Sequence, residues 1–291
     1  MDCEIVKSRH MHLNIVLGYK CNFFCSHCAN NSGLKPSAPD ISDKEIEMLS
    51  ATINKHRPKH ILFSGGEPSL YIDKINAILG KIHDLHNTRV SIVTNGSWAA
   101  DEEKTKVFFE SLLKVSDVTV SYDKFHRTKT SVNSLVNIKN YCLGKAIGLN
   151  VSMSISDMKQ IAEAKQIMND IDLPIQFQKV IKSGRALDNN LAFKYFSFDT
   201  EILSKKCPSE GRISFLPGNG FSTCCSSLVF NHKDNDYTHN TLEEHLNSEF
   251  YKDQSSKTFG ELIRKFNIEN YDNVPGNSLE CGICEYIYKT K

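Results

Sequence analysis

Residues 12–28 read HLNIVLGYKCNFFCSHC, an apolar strand pattern that runs directly into three closely spaced cysteines. The segment before Gly18 is short, mostly apolar and partly β-branched, which is typical of a buried strand. Cys21, Cys25 and Cys28 then follow in the loop after it. Parallel α/β folds bind ligands where strands end and loops begin, so this stretch predicts an α/β protein with a site at the end of its first strand.

Five more strand patterns follow, each bounded by Gly, Asn, Asp or Pro; they cover 60–65, 89–95, 117–123, 149–156 and 174–180. Helical patterns separate them, the first led by a Ser-x-x-Glu capping box at Ser42 and later ones covering 72–85, 102–115, 132–145 and 158–171. Regular strand–helix alternation predicts βαβ units and a parallel sheet. Six units are too few for a closed eight-unit barrel, so we predict a partial, TIM-like (β/α)6 barrel.

The pattern changes after the segment KSGRA at 182–186. Residues 212–225, RISFLPGNGFSTCC, predict a β-hairpin with PGNG as its turn, and helices are expected near 241–250 and 256–266. A C-x2-C pair lies close to the C-terminus. We therefore predict a barrel domain over 1–195 and a small hairpin-plus-helix domain over 196–291.

Composition narrows the functional class. The 291 residues carry a formal net charge of +1, which argues against a broad basic face for nucleic acid. We also expect no membrane span and no secretory signal, since the sequence has no long apolar run and its first residues lack a cleavage site. The ten cysteines are thus expected in a reducing, cytoplasmic setting, where metal or redox chemistry explains them better than disulfides. Cys3 and Cys142 stand alone and are interpreted as small core residues.

The first cysteine cluster offers three thiolates for one metal centre and leaves a coordination position open. Closed four-ligand sites are structural, whereas open ones bind substrate. The alternative is a zinc site completed by His27, His10 or His12. Zinc ligands usually come as two separated pairs, which this triplet does not match.

The motif CNFFCSHC resembles the C-x3-C-x2-C signature of the radical SAM superfamily, including an aromatic residue, His27, before the last cysteine. The resemblance implies a [4Fe–4S] cluster on Cys21, Cys25 and Cys28, with S-adenosylmethionine on the fourth iron. It also implies the reaction: an electron from the reduced cluster cleaves the sulfonium, and the 5′-deoxyadenosyl radical takes a hydrogen atom from substrate. The cofactor carries that chemistry, while the protein positions the substrate.

Polar residues collect at the following strand ends, where their simplest interpretation is ordinary turn chemistry. The sequence Gly65-Gly66-Glu67-Pro68 resembles the family's second-strand motif, which binds the methionine amino group of S-adenosylmethionine. The same resemblance implies contacts to the cofactor from Asn95 and Ser121, with a further polar contact from Ser152 or Ser154. Arg185, in KSGRA, has the planar guanidinium that pairs well with a carboxylate, although a solvated surface arginine fits equally well.

A second set of cysteines lies in the last third of the chain: Cys207, Cys225, Cys281 and Cys284, with Cys224 as an alternative to Cys225. Four thiolates from distant segments would hold together a region with little core of its own. The arrangement resembles the SPASM and twitch extensions of radical SAM enzymes, which implies one auxiliary [4Fe–4S] cluster. A structural zinc site is the alternative, because four thiolates also suit zinc.

These features predict a radical SAM oxidoreductase that modifies a ribosomally made peptide, for example by a side-chain crosslink. A radical SAM dehydrogenase of an amino sugar or cyclitol is the alternative enzyme, and a non-catalytic zinc protein is the alternative outside enzymes. The first strand begins near residue 12, so no separate N-terminal peptide-binding domain is expected. The expected partners are the peptide or small-molecule substrate and a reductase or flavodoxin-type electron donor.

Overall fold

A computed structural model describes residues 11–162, 164, 172–209, 211–231 and 235–291. Cys3, His10 and the part of the predicted helix at 163 and 165–171 lie outside the described residues. Within them, one eight-stranded sheet organises the molecule.

Every predicted strand is present, with ends that differ by one or two residues. The strands are β1 (His12–Val16), β2 (His60–Ser64), β3 (Arg89–Thr94), β4 (Asp117–Ser121), β5 (Gly148–Ile155), β6 (Ile175–Lys179), β7 (Arg212–Leu216) and β8 (Gly220–Ser222). They lie in the order β6-β5-β4-β3-β2-β1-β7-β8. Neighbours from β6 through β1 to β7 are parallel, and β8 pairs with β7 antiparallel. The fold is therefore the α/β, partial (β/α)6 barrel that the sequence predicts.

Helices connect the strands and cover the sheet from outside. They are α1 (Asp43–His56), α2 (Ile72–Leu79), α3 (Glu102–Glu110), α4 (Val132–Lys145), α5 (Gly184–Asp188), α6 (Ser227–Asn231), α7 (Leu242–Asn247), α8 (Glu249–Ser256), α9 (Phe259–Phe266) and α10 (Glu280–Thr290). The capping box at Ser42 is present. The helix predicted over 241–250 breaks at Ser248, because that residue is extended and its hydroxyl accepts from Tyr251 N to start α8.

Side-chain alternation gives the sheet two different faces. The outward face is apolar and fully buried against the helices, as shown by Ile15, Phe63, Ile92 and Val120. The opposite face lines the barrel lumen and is mostly polar, as seen at Asn14 and Ser91. Since successive strand residues point to opposite sides, one strand supplies both the core and the cavity wall.

The C-terminal part has a core of its own, formed by α9, α10 and the segments around them. Its buried members include Ile202, Phe250, Phe259, Ile283 and Ile287. The predicted hairpin is confirmed, but it does not stay with this core: β7 adds to the barrel sheet beside β1, with Leu13 opposite Ile213. The domain boundary at residue 195 therefore stays a prediction. The sheet extends across that boundary, because β7 lies after it and pairs with β1.

Among the described residues, no helix is both long enough and apolar enough to cross a bilayer.

The burial of the apolar face predicts that replacing two phenylalanines by alanine changes the free energy of unfolding by very different amounts. Phe63 has no solvent exposure, whereas Phe196 is fully exposed. We expect Phe63→Ala to lower the free energy of unfolding by about 3–5 kcal/mol, because a cavity remains in the core. Phe196→Ala is the matched control and should change it by less than about 0.5 kcal/mol. Denaturant unfolding followed by circular dichroism measures both, and equal effects would contradict this assignment of the core.

Candidate active site

The cysteine triplet lies in the long loop between β1 and α1, where main-chain bonds fix its shape. Cys21 N donates to Gly33 O at 2.9 Å, and Gly33 N donates to Tyr19 O at 3.1 Å. Phe23 N also donates to the sulfur of Cys21 at 3.3 Å. Burial raises the pKa of the Cys21 thiol to about 11, so this sulfur stays protonated near neutral pH unless a cation binds it.

The two glycines of GGEP bring the loop after β2 against the cysteine loop. Gly66 N donates to Gly18 O at 2.8 Å, and Glu67 N donates to Lys20 O at 2.9 Å. A Cβ on Gly66 would overlap the carbonyl of Lys20, and one on Gly65 would lie 2.5 Å from Gly18 O. The absence of side chains at these positions thus lets two backbones touch, one residue before Cys21.

Glu67 turns into the protein instead of the cavity. Its carboxylate, only 1% exposed, accepts from Thr94 Oγ1 at 2.6 Å, from Asn95 N at 2.8 Å and from Ser69 N at 3.1 Å. Burial nevertheless raises the pKa of this carboxyl above its usual range. The carboxylate of Glu67 therefore braces the ends of β2 and β3, and the contact of this motif with the cofactor stays a prediction.

Asn95, at the end of β3, connects this brace to the cysteines. Its side-chain amide donates to Asn22 Oδ1 at 2.8 Å and lies 3.9 Å from Cys21 Sγ. Its main-chain oxygen accepts from Thr130 Oγ1 at 2.9 Å. Asn95 thus lies directly beside the first thiol of the triplet.

The KSGRA segment clamps the other end of the cysteine loop. Arg185 Nε donates to Cys25 O at 2.8 Å, Arg185 Nη2 donates to Ser32 O at 2.6 Å, and Arg185 N donates to Cys28 O at 2.9 Å. Its guanidinium also stacks on Phe24, 3.9 Å from the ring centroid. Arg185 is therefore buried and not a solvated surface arginine, and its pairing with a carboxylate stays a prediction.

A histidine–carboxylate group supports Cys25 from the loop after β4. His126 Nδ1 lies 2.8 Å from Asp123 Oδ1, and its ring also hydrogen-bonds with the Cys25 thiol. Burial by itself would lower the pKa of His126, but Asp123 and Cys25 outweigh it and raise the pKa to about 10. His27 stacks on Phe125 with ring centroids 4.1 Å apart. Burial lowers the pKa of His27 to about 4.

The second cysteine set comes together from three segments. Cys207 precedes β7, Cys224 and Cys225 follow β8, and Cys281 and Cys284 lie on α10. Burial, together with the nearby thiols of Cys225 and Cys207, raises the pKa of Cys281 to about 12. Burial is also the largest cause of the raised pKa of Cys284, and the nearby thiols of Cys207, Cys224 and Cys281 add to the effect. Mutual effects of this kind require the thiols to be close neighbours.

One cavity of about 730 Å³ joins both cysteine sets, within the range of about 300–1,000 Å³ of ligand pockets. All seven cysteines predicted as ligands line it, together with Cys224. The other predicted site residues that line it are Gly65, Gly66, Asn95, Ser121, Ser152 and Arg185. Of the predicted site residues, Glu67 is the exception.

The donor sets fit the groups that the sequence predicts. In the first set three sulfurs line the cavity, which leaves one position of a cubane for an exogenous ligand. In the second set the buried donors are thiols, which suit iron–sulfur clusters or zinc. All nine cysteines among the described residues are free, so no disulfide competes for these thiols.

The zinc alternative for the first set loses one of its ligands. His12 begins β1 and contacts His60, with their Nδ1 atoms 3.2 Å apart. The cysteines follow the other end of that strand, so His12 lies at the opposite end of the barrel from them. His27 faces Asp123, with 3.8 Å between Nε2 and Oδ2, and His10 lies outside the described residues.

Comparison with known proteins supports the class of enzyme. Residues 15–147 match the model of the Radical SAM superfamily. The solved structure of native anSMEcpe with bound AdoMet has a similar fold, with a TM-score of 0.58 and 14% sequence identity. That alignment covers 96% of this chain and 94% of the other. The family-model match over residues 15–147 indicates an S-adenosylmethionine-dependent radical enzyme.

Among curated proteins, the peptide biosynthesis protein YydG of Bacillus subtilis (strain 168) is similar over nearly the whole chain. The two are 24% identical over 305 residues, which cover 96% of this chain and 92% of YydG. A GTP 3′,8-cyclase of Methanocella arvoryzae is 32% identical over 114 residues, or 39% of this chain and 36% of that protein. The similarity to YydG thus covers nearly the whole of both chains, whereas the similarity to the cyclase is partial.

Two features of the site escaped the sequence analysis. The Asp123–His126 support of Cys25 has no motif spacing, so no pattern indicated it. The polar lumen face of β5 and β6 did leave a signal, since Asn150, Gln176 and Gln178 alternate with apolar residues in segments that we interpreted as buried strands.

The clamp on the cysteine loop predicts the effect of adding one methyl group. Gly184 has φ +52°, and a Cβ there would lie 2.6 Å from the carbonyl oxygens of Cys28 and Ala29. We expect Gly184→Ala to lower the free energy of unfolding by about 1–3 kcal/mol and to reduce the iron retained after anaerobic reconstitution.

Gly144→Ala is the matched control. Gly144 lies in α4, and a Cβ there would meet no atom within 4 Å. Alanine should therefore stabilise this helix by up to about 1 kcal/mol without changing the iron content. Iron assay and thermal unfolding measure both variants, and wild-type iron content and stability in Gly184→Ala would contradict the clamp.

Proposed function

We propose that this enzyme modifies a peptide by radical chemistry, with one [4Fe–4S] cluster on Cys21, Cys25 and Cys28 and a second on the C-terminal cysteines. The observation that carries the proposal is the shared cavity, which both thiol sets line. The similarity to YydG over 96% of the chain supports a peptide as substrate. Thiols that must stay reduced fit a cytoplasmic protein supplied by a flavodoxin-type electron donor.

When bound, the first cluster with S-adenosylmethionine supplies a 5′-deoxyadenosyl radical, and the second supplies a one-electron acceptor or donor. The chain's own residues hold the geometry. Arg185 and Gly66 fix the two ends of the cysteine loop through its carbonyls. His126, oriented by Asp123, contacts Cys25. The enclosing loops separate the substrate from water.

In the leading proposal, the peptide is oxidised. The substrate loses one hydrogen atom to the radical, and then loses a further electron and a proton as a new bond forms. The proton leaves to solvent and the electron needs an acceptor close to the substrate. The second thiol set, on the same cavity, is where such an acceptor would be held.

The two cysteine sets predict different losses of function. We expect Cys25→Ala to abolish reductive cleavage of S-adenosylmethionine, because the first cluster loses a ligand. We expect Cys284→Ala to retain cleavage to 5′-deoxyadenosine and to lose the modified peptide. Anaerobic incubation with dithionite and a precursor peptide encoded beside the gene, followed by mass spectrometry, measures both products.

Cys142→Ala serves as the control, since Cys142 is buried in the barrel core away from the cavity lining and should leave both products intact. Normal peptide turnover by Cys284→Ala would refute an electron-transfer role for the second set. Turnover of an amino sugar or cyclitol with no peptide product would refute the peptide substrate.

One observation favours a second outcome, which is inversion of a peptide stereocentre. Five thiols of the second set line the cavity, whereas four complete the ligands of a cubane, so Cys224 or Cys225 is in excess. A thiol S–H bond is weaker than a saturated C–H bond, so this thiol can return a hydrogen atom to the substrate radical from the opposite face. The resulting thiyl radical then takes up one electron from the reductant and one proton from water.

Single alanine substitutions at Cys224 and Cys225 distinguish the thiol that binds the cluster from the thiol that donates a hydrogen atom. We expect alanine at the ligand position to lower iron content by up to about half, and alanine at the excess position to leave iron unchanged while product formation is lost. In D₂O, inversion incorporates one deuterium into the peptide, whereas oxidation removes two hydrogens. Full product formation by both Cys224→Ala and Cys225→Ala would contradict a thiol donor.

A further inference from the structure

The lumen face of β4, β5 and β6 carries a run of neutral hydrogen-bonding side chains, and the charged residues of these strands that line the same cavity are Asp117, at the start of β4, and Lys179, at the end of β6. We define this surface as the amide wall: Asn150, Gln176 and Gln178, flanked by Ser121, Ser152 and Ser154, the serines for which the family resemblance implies cofactor contacts. All six line the cavity that the cysteines share. The alternate residues on these strands, such as Val120, Val151 and Met153, are buried on the other face. The wall is therefore the polar face of β4 and β5, whose other face is buried, and it continues onto the edge strand β6, where Gln176 and Gln178 are exposed.

Strand register makes the wall continuous. Ser121 pairs with Ser152, Ser152 pairs with Gln176, and Ser154 pairs with Gln178. Neighbouring strands lie about 4.8 Å apart, so these side chains form one surface. Its upper end is fixed relative to the cysteines, because Ser154 N donates to Asp123 Oδ2 at 3.1 Å and Asp123 holds His126 beside Cys25.

The amides of the wall are not used by the protein. Within the described part of the chain, the side chains of Asn150, Gln176 and Gln178 make no hydrogen bond. Asn14, across the lumen, shows the contrast: its amide donates to Ser214 Oγ at 3.1 Å and accepts from Ser64 Oγ at 2.7 Å. A carboxamide that faces a cavity without a protein partner has a donor and an acceptor to offer a ligand.

The spacing of these side-chain amides indicates the kind of ligand that they fit. Gln176 and Gln178 are two residues apart on one strand, so their amides repeat at about 6.6 Å. An extended peptide presents a peptide group to the same side at that interval, again with one donor and one acceptor. A single sugar ring has hydroxyls at shorter spacing and no such repeat.

We propose that the amide wall binds the main-chain amides of an extended segment of the substrate peptide and so presents one residue to the radical. This inference rests on the proposed peptide substrate. In this proposal the specificity-determining residues are Gln176, Gln178 and Asn150, whose side chains hydrogen-bond to the backbone of the substrate.

The test uses the full chain with reconstituted clusters and saturating S-adenosylmethionine. The probe is an equimolar library of acetylated, amidated, uncharged pentapeptides, and the bound fraction is measured by affinity selection and mass spectrometry. We expect the wild type to retain a subset of the library. The double variant Gln176→Met/Gln178→Met keeps side-chain size but removes both amides, and should retain that subset at least about tenfold less.

Asn87→Leu, an exposed amide just before β3, is the control and should retain peptides as the wild type does. Iron content and S-adenosylmethionine binding should be unchanged in every variant, which shows that the wall variants are folded. Equal retention by the double variant overturns the inference, as does a wild type that retains glucosamine or scyllo-inositol but no peptide.

The inference and the proposed function fail separately. If a precursor peptide is modified and the double variant has the wild-type KM for it, the wall inference is wrong and the function stands. If library peptides bind through the wall but no peptide is modified, the inference stands and the proposed function is wrong.

Discussion

The structure depends on direct backbone contact between the cysteine loop and the loops that follow β2 and β6. Gly66 lies against the carbonyl of Lys20, and Gly184 lies against the carbonyls of Cys28 and Ala29. Contacts this close exclude any side chain, so both ends of the loop are set by glycine. Arg185 then satisfies the carbonyls that the loop leaves exposed. Three thiols are thereby held at one rim without a disulfide or a rigid helix.

The barrel makes this rim useful because its lumen is polar. Each strand buries apolar residues outward and presents neutral or charged groups inward, so core stability and substrate contact come from the same segments. The C-terminal part joins the barrel through β7, and its thiols reach the same cavity as the triplet. A radical enzyme needs this proximity, since a substrate radical reacts with whatever group lies next to it.

Two residues of the predicted motifs make close contacts within the protein itself. GGEP matches the family pattern, yet here its glutamate braces β2 against β3 through Thr94 and Asn95. Arg185 contacts main-chain carbonyls instead of a carboxylate. Both are buried groups satisfied by the protein itself, as buried polar groups generally are. Their effect on the cofactor site is to position the cysteine loop and Asn95.

The sequence by itself determined the strands, their parallel order, the cysteine triplet and the hairpin at 212–225, because these depend on local periodicity, spacing and turn residues. It also indicated, through alternation at Asn150, Gln176 and Gln178, that two strands have a polar face. Tertiary structure decided which backbones touch, that β7 joins β1, that Glu67 turns inward and that Asp123 and His126 reach Cys25. Those outcomes depend on contacts between residues far apart in the chain, and no local pattern encodes such partners.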